Sequence, residues 1–262
     1  MKIAGLLVAV GVVVVSFGQA VQADDAVKPV AQIKNAAIEG SIVVDDTLKS
    51  YPKLYADLAA AGKRELAKWA AEAERERKVH PDAFGENRRW NFDRSYSLRS
   101  VVGRYVGVVR CDDSYGGGVH PNHEINTLLW DTRANRFINI SPFFKETKEN
   151  GPTLTALAKA IRAAVAAEKK TRDIAVTDPD SDPELASVKP KLTAIGGIAL
   201  APSTEKDKSS GFSVYFSPYD VGSYVEGMYT VFIPWTAFKP YLSPEGANLF
   251  GGERPPDDEK ND

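Results

Sequence analysis

The stretch Asp113-Ser-Tyr-Gly-Gly-Gly-Val-His-Pro-Asn-His-Glu-Ile-Asn126 decides how this chain folds. Three consecutive glycines, Gly116 to Gly118, lie between two runs that read as β-strands, and His120 and His123 follow at once. Upstream, 100–111 carries the β-formers Val101, Val102, Tyr105, Val106, Val108 and Val109, and reads as one strand in which Gly103 and Gly107 mark close packing or a bend. Downstream, 122–130 alternates. His123, Ile125, Thr127 and Leu129 share one face; Asn122, Glu124, Asn126, Leu128 and Trp130 share the other. A turn at 131–135 and a return strand at 136–140 complete a meander, so the local sheet is antiparallel.

Outward from this meander, 90–99 alternates as a strand whose parity slips near Ser95, the mark of a bulge. Before it, 47–78 puts Tyr55, Leu58, Leu66, Trp69 and Ala73 on one helical stripe, with Gly62 as a point where the region can divide into two helices. A first strand precedes this helix at 36–44. On the other side, Pro152 suits a helix start, and Leu154, Leu157, Ile161 and Val165 carry the stripe to about Lys170. Residues 173–191 are rich in Asp, Pro and Ser but lack the glycine and glutamate spacing of a calcium loop, so they read as a solvated loop with one helical turn. Strands follow at 192–202, 211–216 and 228–233, with an aromatic-containing connection at 217–227 and a last helical turn at 245–250. This order predicts an α+β fold with a mainly antiparallel sheet, over 36–250, as one compact unit or two lobes.

Lys2 followed by the apolar run 3–17 reads as a secretory signal, because the run is shorter than the roughly 20 residues a membrane span needs. Val21-Gln22-Ala23 places cleavage after Ala23, leaving a flexible polar leader at 24–35 and a periplasmic or secreted chain. The charged, proline-containing stretch 251–262 reads as a disordered tail. The 33 basic and 35 acidic side chains nearly cancel, which argues against a nucleic-acid partner. The single cysteine, Cys111, falls inside a strand pattern and reads as a small hydrophobe rather than a nucleophile. With no internal disulfide, the fold is held by its core.

Four roles suit the glycine–histidine loop. It can be a tight crossing in which His120 bonds to backbone. It can be a recognition surface built from Tyr115, Gly117, Gly118, His120 and Asn122 with Tyr219 and Tyr224 from the later connection, since tyrosines give contact area at low entropic cost. It can be a metal site using His120, His123 and Glu124 or Asp113, though the spacing matches no zinc motif. It can be a hydrolytic site with His120 as base and Asp112, Asp113 or Glu124 as partner, though Ser114 is the only local hydroxyl and no nucleophile elbow surrounds it.

The runs Tyr115-Gly-Gly-Gly-Val-His-Pro-Asn122 and Gly211-Phe-Ser-Val-Tyr-Phe-Ser-Pro-Tyr-Asp-Val-Gly-Ser-Tyr-Val-Glu-Gly-Met-Tyr-Thr-Val-Phe-Ile-Pro234 resemble the bacterial family called domain of unknown function 3298. Members often carry a preceding half related to the non-catalytic N-terminal domain of PdaC-type peptidoglycan deacetylases, here about 36–110, with the second half at about 111–250. A similar extracellular domain in the anti-sigma factor RsiV binds lysozyme. The resemblance implies a cell-envelope binding module with no cofactor and no catalytic mechanism, its partner peptidoglycan or a wall-acting enzyme such as lysozyme. The alternative is a metal-assisted hydrolase or wall-modifying enzyme using His120 and His123.

Overall fold

Residues 27–85 and 88–258 are described by a computed structural model; the expected signal and cleavage site lie outside them. A first sheet of six strands runs in order β1 (Ala31–Lys34), β2 (Ile38–Val44), β3 (Trp90–Val102), β4 (Tyr105–Tyr115), β5 (Asn122–Asp131), β6 (Arg136–Ile138). Helix α1 (Pro52–Val79) separates β2 from β3, and these two strands pair in parallel. A crossover of that length can return the chain to a parallel neighbour, as a tight turn cannot. All other neighbours in the sheet are antiparallel. A second sheet holds β7 (Gly197–Pro202), β8 (Ser209–Phe216) and β9 (Tyr229–Pro234), all antiparallel. Helix α2 (Pro152–Thr171) packs on it, and α3 (Pro244–Leu249) follows. The expected α+β, mainly antiparallel architecture is the one found.

Two apolar clusters are buried, and the second also takes Val102, Tyr105 and Leu129 from the first sheet. Ile38, Ile42, Leu58, Leu66, Phe92 and Val108 fill the space beneath α1. Leu157, Ile161, Val165, Phe212, Val214 and Phe238 fill the space beneath α2. The stripe read from 47–78 is one continuous helix. Gly62 does not break it, because its bare backbone lies against β2: an added Cβ would stand 2.5 Å from Ile42 Cγ2. The missing side chain is what lets the helix approach the sheet.

Four expectations change. Residues 100–111 are not one strand: β3 ends at Val102 and β4 begins at Tyr105, with Gly103 at φ +54 in the turn. A valine-rich run conceals a two-residue hairpin unless the glycine is weighed as a reversal. The bulge falls between Leu98 and Ser100, three residues beyond the parity slip, and makes Arg99 the extra residue. Within the leader, Ala31–Lys34 adds to the sheet edge against Glu39–Ile42, while Asn35 Oδ1 accepts from the Ala37 and Ile38 amides to turn the chain. Four residues are too few to display a period.

The tail is also fixed as far as Asp258. Arg99 donates to both Asp258 carboxylate oxygens at 2.6 and 2.9 Å, to Tyr215 Oη at 2.6 Å and to Ser213 Oγ at 3.0 Å. Arg254 donates to Asp258 Oδ2 at 2.7 Å, and Trp235 Nε1 donates to the Gly252 carbonyl at 3.1 Å. The bulge turns Arg99 out of the first sheet and onto the second. Charged composition concealed this docking, because those charges are spent on internal partners.

Candidate functional site

The glycine loop is set by what lies beneath it. Gly116 rests on Trp69 and Trp90, which meet edge to face at 5.8 Å between ring centroids, and Trp69 stacks on Phe92 at 5.2 Å. Gly117 takes φ +85, a conformation suited to glycine. The loop thus crosses over an aromatic floor between α1 and β3, and its far end projects Val119 and His120 outward.

The 217–227 connection approaches from the second sheet. Ser217 ties it down, its Oγ accepting from the Ile125 amide of β5 at 3.1 Å. Ser217-Pro-Tyr-Asp220 closes a turn in which the Asp220 amide donates to the Ser217 carbonyl at 3.1 Å. Tyr219 stands at the third position with φ +75, where turns of this kind normally need glycine. Holding a bulky residue there costs on the order of 1–2 kcal/mol. Next, Ser223 and Glu226 form a capping box around the one-turn helix Tyr224–Glu226.

These two loops meet. His120 stacks on Tyr224 with ring centroids 4.0 Å apart, and Tyr219 lies 5.5 Å from Tyr224 and 6.2 Å from His120. The Tyr224 hydroxyl donates to the Pro121 carbonyl at 2.8 Å. His120 Nδ1 lies 2.8 Å from the same oxygen. A carbonyl only accepts, so Nδ1 carries a proton. In the neutral ring Nε2 is then the acceptor, and the Tyr219 hydroxyl stands 3.3 Å from it. His123 lies 6.4 Å from Tyr224 and pairs through Nδ1 with Asp113, its cross-strand neighbour. Of the predicted surface, His120, Tyr219 and Tyr224 come together. Gly117 and Gly118 shape the loop. Tyr115 ends β4 and Asn122 begins β5, at the two ends of the loop.

Glu124, on the opposite face of β5 from His123, pairs with Arg110. Asp112 is buried against Arg94 at 2.6 Å, and Asp113 belongs to His123. Among the described residues no carboxylate contacts His120, and no three His, Cys, Asp or Glu side chains gather closely enough to hold a metal ion. Ser114 is buried between its strands. Cys111 is half-buried, and burial followed by the neighbouring Asp113 and Asp112 carboxylates pushes its thiol pKa up, away from nucleophilic character.

Two features escaped the sequence reading. Val119 and Val225, one per loop, are 101% and 92% exposed, and Tyr219 is 62% exposed. An apolar tip inside a glycine- or serine-containing loop was the available signal. Beside the rings, Glu124, Asn126, Ser187, Thr193, Ser217 and Asp220 help line a cleft of about 520 Å³ between the sheets. The second is the support under Tyr224. Lys169 of α2, with no exposed side-chain surface, donates to Glu226 at 2.8 Å and to Glu184 at 2.6 Å. Burial raises the Glu226 pKa, but Lys169, Tyr229 and Ser223 outweigh it and hold the carboxyl at about 2. Tyr229 is pushed up to about 12 by burial and by its bond to Glu226.

Residues 143–236 match the sequence profile of a family described as protein of unknown function (DUF3298). That range contains the 211–234 motif but not the glycine loop. The fold resembles the crystal structure of a DUF3298-family member from Bacteroides fragilis, with a TM-score of 0.55 and 14% identity over 81% of this chain and 92% of that one. It also resembles a DUF3298-family protein from Pseudomonas aeruginosa, with a TM-score of 0.51 and 14% identity over 82% and 88%. At this identity the likeness concerns the fold. No curated protein matches the sequence. Among the described residues no helix is long and apolar enough to cross a membrane.

Proposed function

We propose that this chain is an exported, non-catalytic binding module of the cell envelope, and that the His120–Tyr219–Tyr224 cluster is its contact surface. One observation carries the reading: two loops from separate sheets present stacked rings flanked by wholly exposed valines. Such exposed apolar surface, rimmed by polar groups, marks interaction sites. Loops on a rigid scaffold are where recognition concentrates. A tyrosine kept in a left-handed backbone adds weight, because strain of that kind persists at sites that use it. The export part rests on the signal reading of 1–23, and the 36–110 half is read as PdaC-like.

The ligand in this proposal is peptidoglycan or a wall-acting enzyme such as lysozyme. Stacked rings suit the apolar faces of sugars, and exposed valines suit a protein surface. The hydrolase alternative has less support, because His120 and His123 each spend Nδ1 on a different partner and no carboxylate serves His120. Calorimetric titration of residues 24–262 with lysozyme and with purified peptidoglycan tests the proposal. Saturable binding by one of them, weakened at least about tenfold in His120→Ala with unchanged circular dichroism, is expected; tenfold corresponds to about 1.4 kcal/mol. Absence of binding to both sinks this ligand assignment.

A further inference from the structure

Lys169 lies far from the rings in sequence and has no exposed side-chain surface, yet three separate segments close on it. Its own helix, α2, supplies the ammonium. Glu184, from the Asp- and Pro-rich loop after α2, accepts at 2.6 Å. Glu226, the last residue of the Tyr224 turn, accepts at 2.8 Å through Oε2, which also accepts from Tyr229 Oη at 2.6 Å. The other oxygen, Oε1, accepts from the Ser223 amide and hydroxyl, each at 2.8 Å. One carboxylate therefore spans the buried ammonium and the first residue of the turn that carries Tyr224. Arg172, three residues on and capping the end of α2, stacks on Tyr229 at 4.0 Å and donates to the Glu226 and Met228 carbonyls at 2.9 and 3.2 Å, fastening the turn's exit. The loop after α2 also reaches the neighbouring turn, where Ser187 Oγ donates to the Asp220 carbonyl beside Tyr219.

A buried ion group of this kind is weak as a stabiliser, since apolar residues of the same volume do as well or better. What it supplies is direction: an ammonium held between two carboxylates permits few arrangements of the segments that bear them. We infer that Lys169 and Glu226 are positioning residues that set the Tyr224 turn, and with it the Tyr224–His120 stack. The inference rests on the proposed recognition surface, but its readout does not require a ligand. It also gives the Asp-rich loop a task that its composition alone did not suggest, because Glu184 and Ser187 fasten it to the core and to the ring-bearing connection.

The test compares Tyr224→Leu, Lys169→Met and the double variant Lys169→Met/Glu226→Leu in the full exported chain. In each, nuclear magnetic resonance follows the His120 ring protons, which sit in the ring current of Tyr224, and the cross-relaxation between the two rings. Tyr224→Leu defines complete loss. Lys169→Met leaves a buried carboxylate without its cation and is destabilised; the double variant removes both charges and recovers part of that loss, giving up the Ser223 and Tyr229 bonds to Glu226. The expected result is a well-folded double variant whose His120 shifts move at least half as far as in Tyr224→Leu, with the ring-to-ring signal lost. A folded double variant that keeps the wild-type His120 shifts and ring-to-ring signal overturns the inference. Loss of the stack in a chain that binds neither lysozyme nor peptidoglycan leaves the positioning role standing and removes only the ligand assignment.

Discussion

Replacing Asp258 with alanine tests whether the last described residues belong to the fold. Asp258 is 5% exposed and receives three charged hydrogen bonds, two from Arg99 and one from Arg254. Burial works against the carboxylate, but the two guanidinium groups outweigh it and lower its pKa below the ordinary value of 3.8. Removing it takes two charged bonds from the Arg99 guanidinium, whose side chain is 5% exposed, and one from Arg254. Breaking one side of a buried ion pair costs about 3–5 kcal/mol, a large share of the 5–15 kcal/mol typical of a domain. In urea unfolding followed by tryptophan fluorescence, the midpoint should fall by about 1–2 M with little change in slope. The effect has a pH signature. A carboxyl whose folded pKa is depressed contributes fully above its unfolded value and loses that contribution as pH falls through the folded one. The gap between wild type and variant should therefore be widest at neutral pH and narrow below about pH 4. A midpoint shift worth less than about 1 kcal/mol at pH 7 would refute the claim that this contact holds the two sheets together.

Two further substitutions separate competing effects. Gly62→Ala should raise helix propensity by about 1 kcal/mol, yet the new methyl would press on Ile42, so we expect a net loss of about 1–3 kcal/mol by thermal or urea unfolding; a stabilised variant would show that α1 can move off the sheet at no cost. Tyr219→Gly should keep or raise stability by up to about 1 kcal/mol by relieving the left-handed backbone, while weakening ligand binding in calorimetry; a destabilised variant with unchanged binding would assign Tyr219 to the scaffold instead.

Much of the fold could be read from the sequence. The period-2 run of β5, the stripes of α1 and α2 and the reversal at 131–135 are local patterns, and local patterns survive in a linear reading. What could not be read was set by distant partners. The parallel pairing of β2 with β3 depends on how α1 packs. The edge strand at Ala31–Lys34 exists because Glu39–Ile42 offers it hydrogen bonds. Asp258 was indistinguishable from a solvated charge until Arg99 was placed beside it. The site divides in the same way. His120, Tyr219 and Tyr224 could be nominated because their residue types suit contact surfaces, whereas their meeting across 99 positions could not be read from either loop alone. Lys169 could not be nominated at all. In a helix ending Glu-Lys-Lys-Thr it looks like its charged neighbours, and only the return of Glu184 and Glu226, 15 and 57 residues away, distinguishes it.

The contact between Arg99 and Asp258 also has a consequence in time. The two residues are separated by 159 positions, so the acidic partner is synthesised well after the basic one. At typical elongation rates of 5–20 residues per second, the acid follows the base by about 8–30 s. Throughout that interval the nascent chain can form the hairpin of β3 and β4 but cannot yet offer Asp258 to the guanidinium that the bulge directs toward the second sheet. What this ion pair adds to the contact between the sheets therefore comes only after β9 has been synthesised, later than the Ser100–Leu200 and Thr127–Ile198 bonds that also join them.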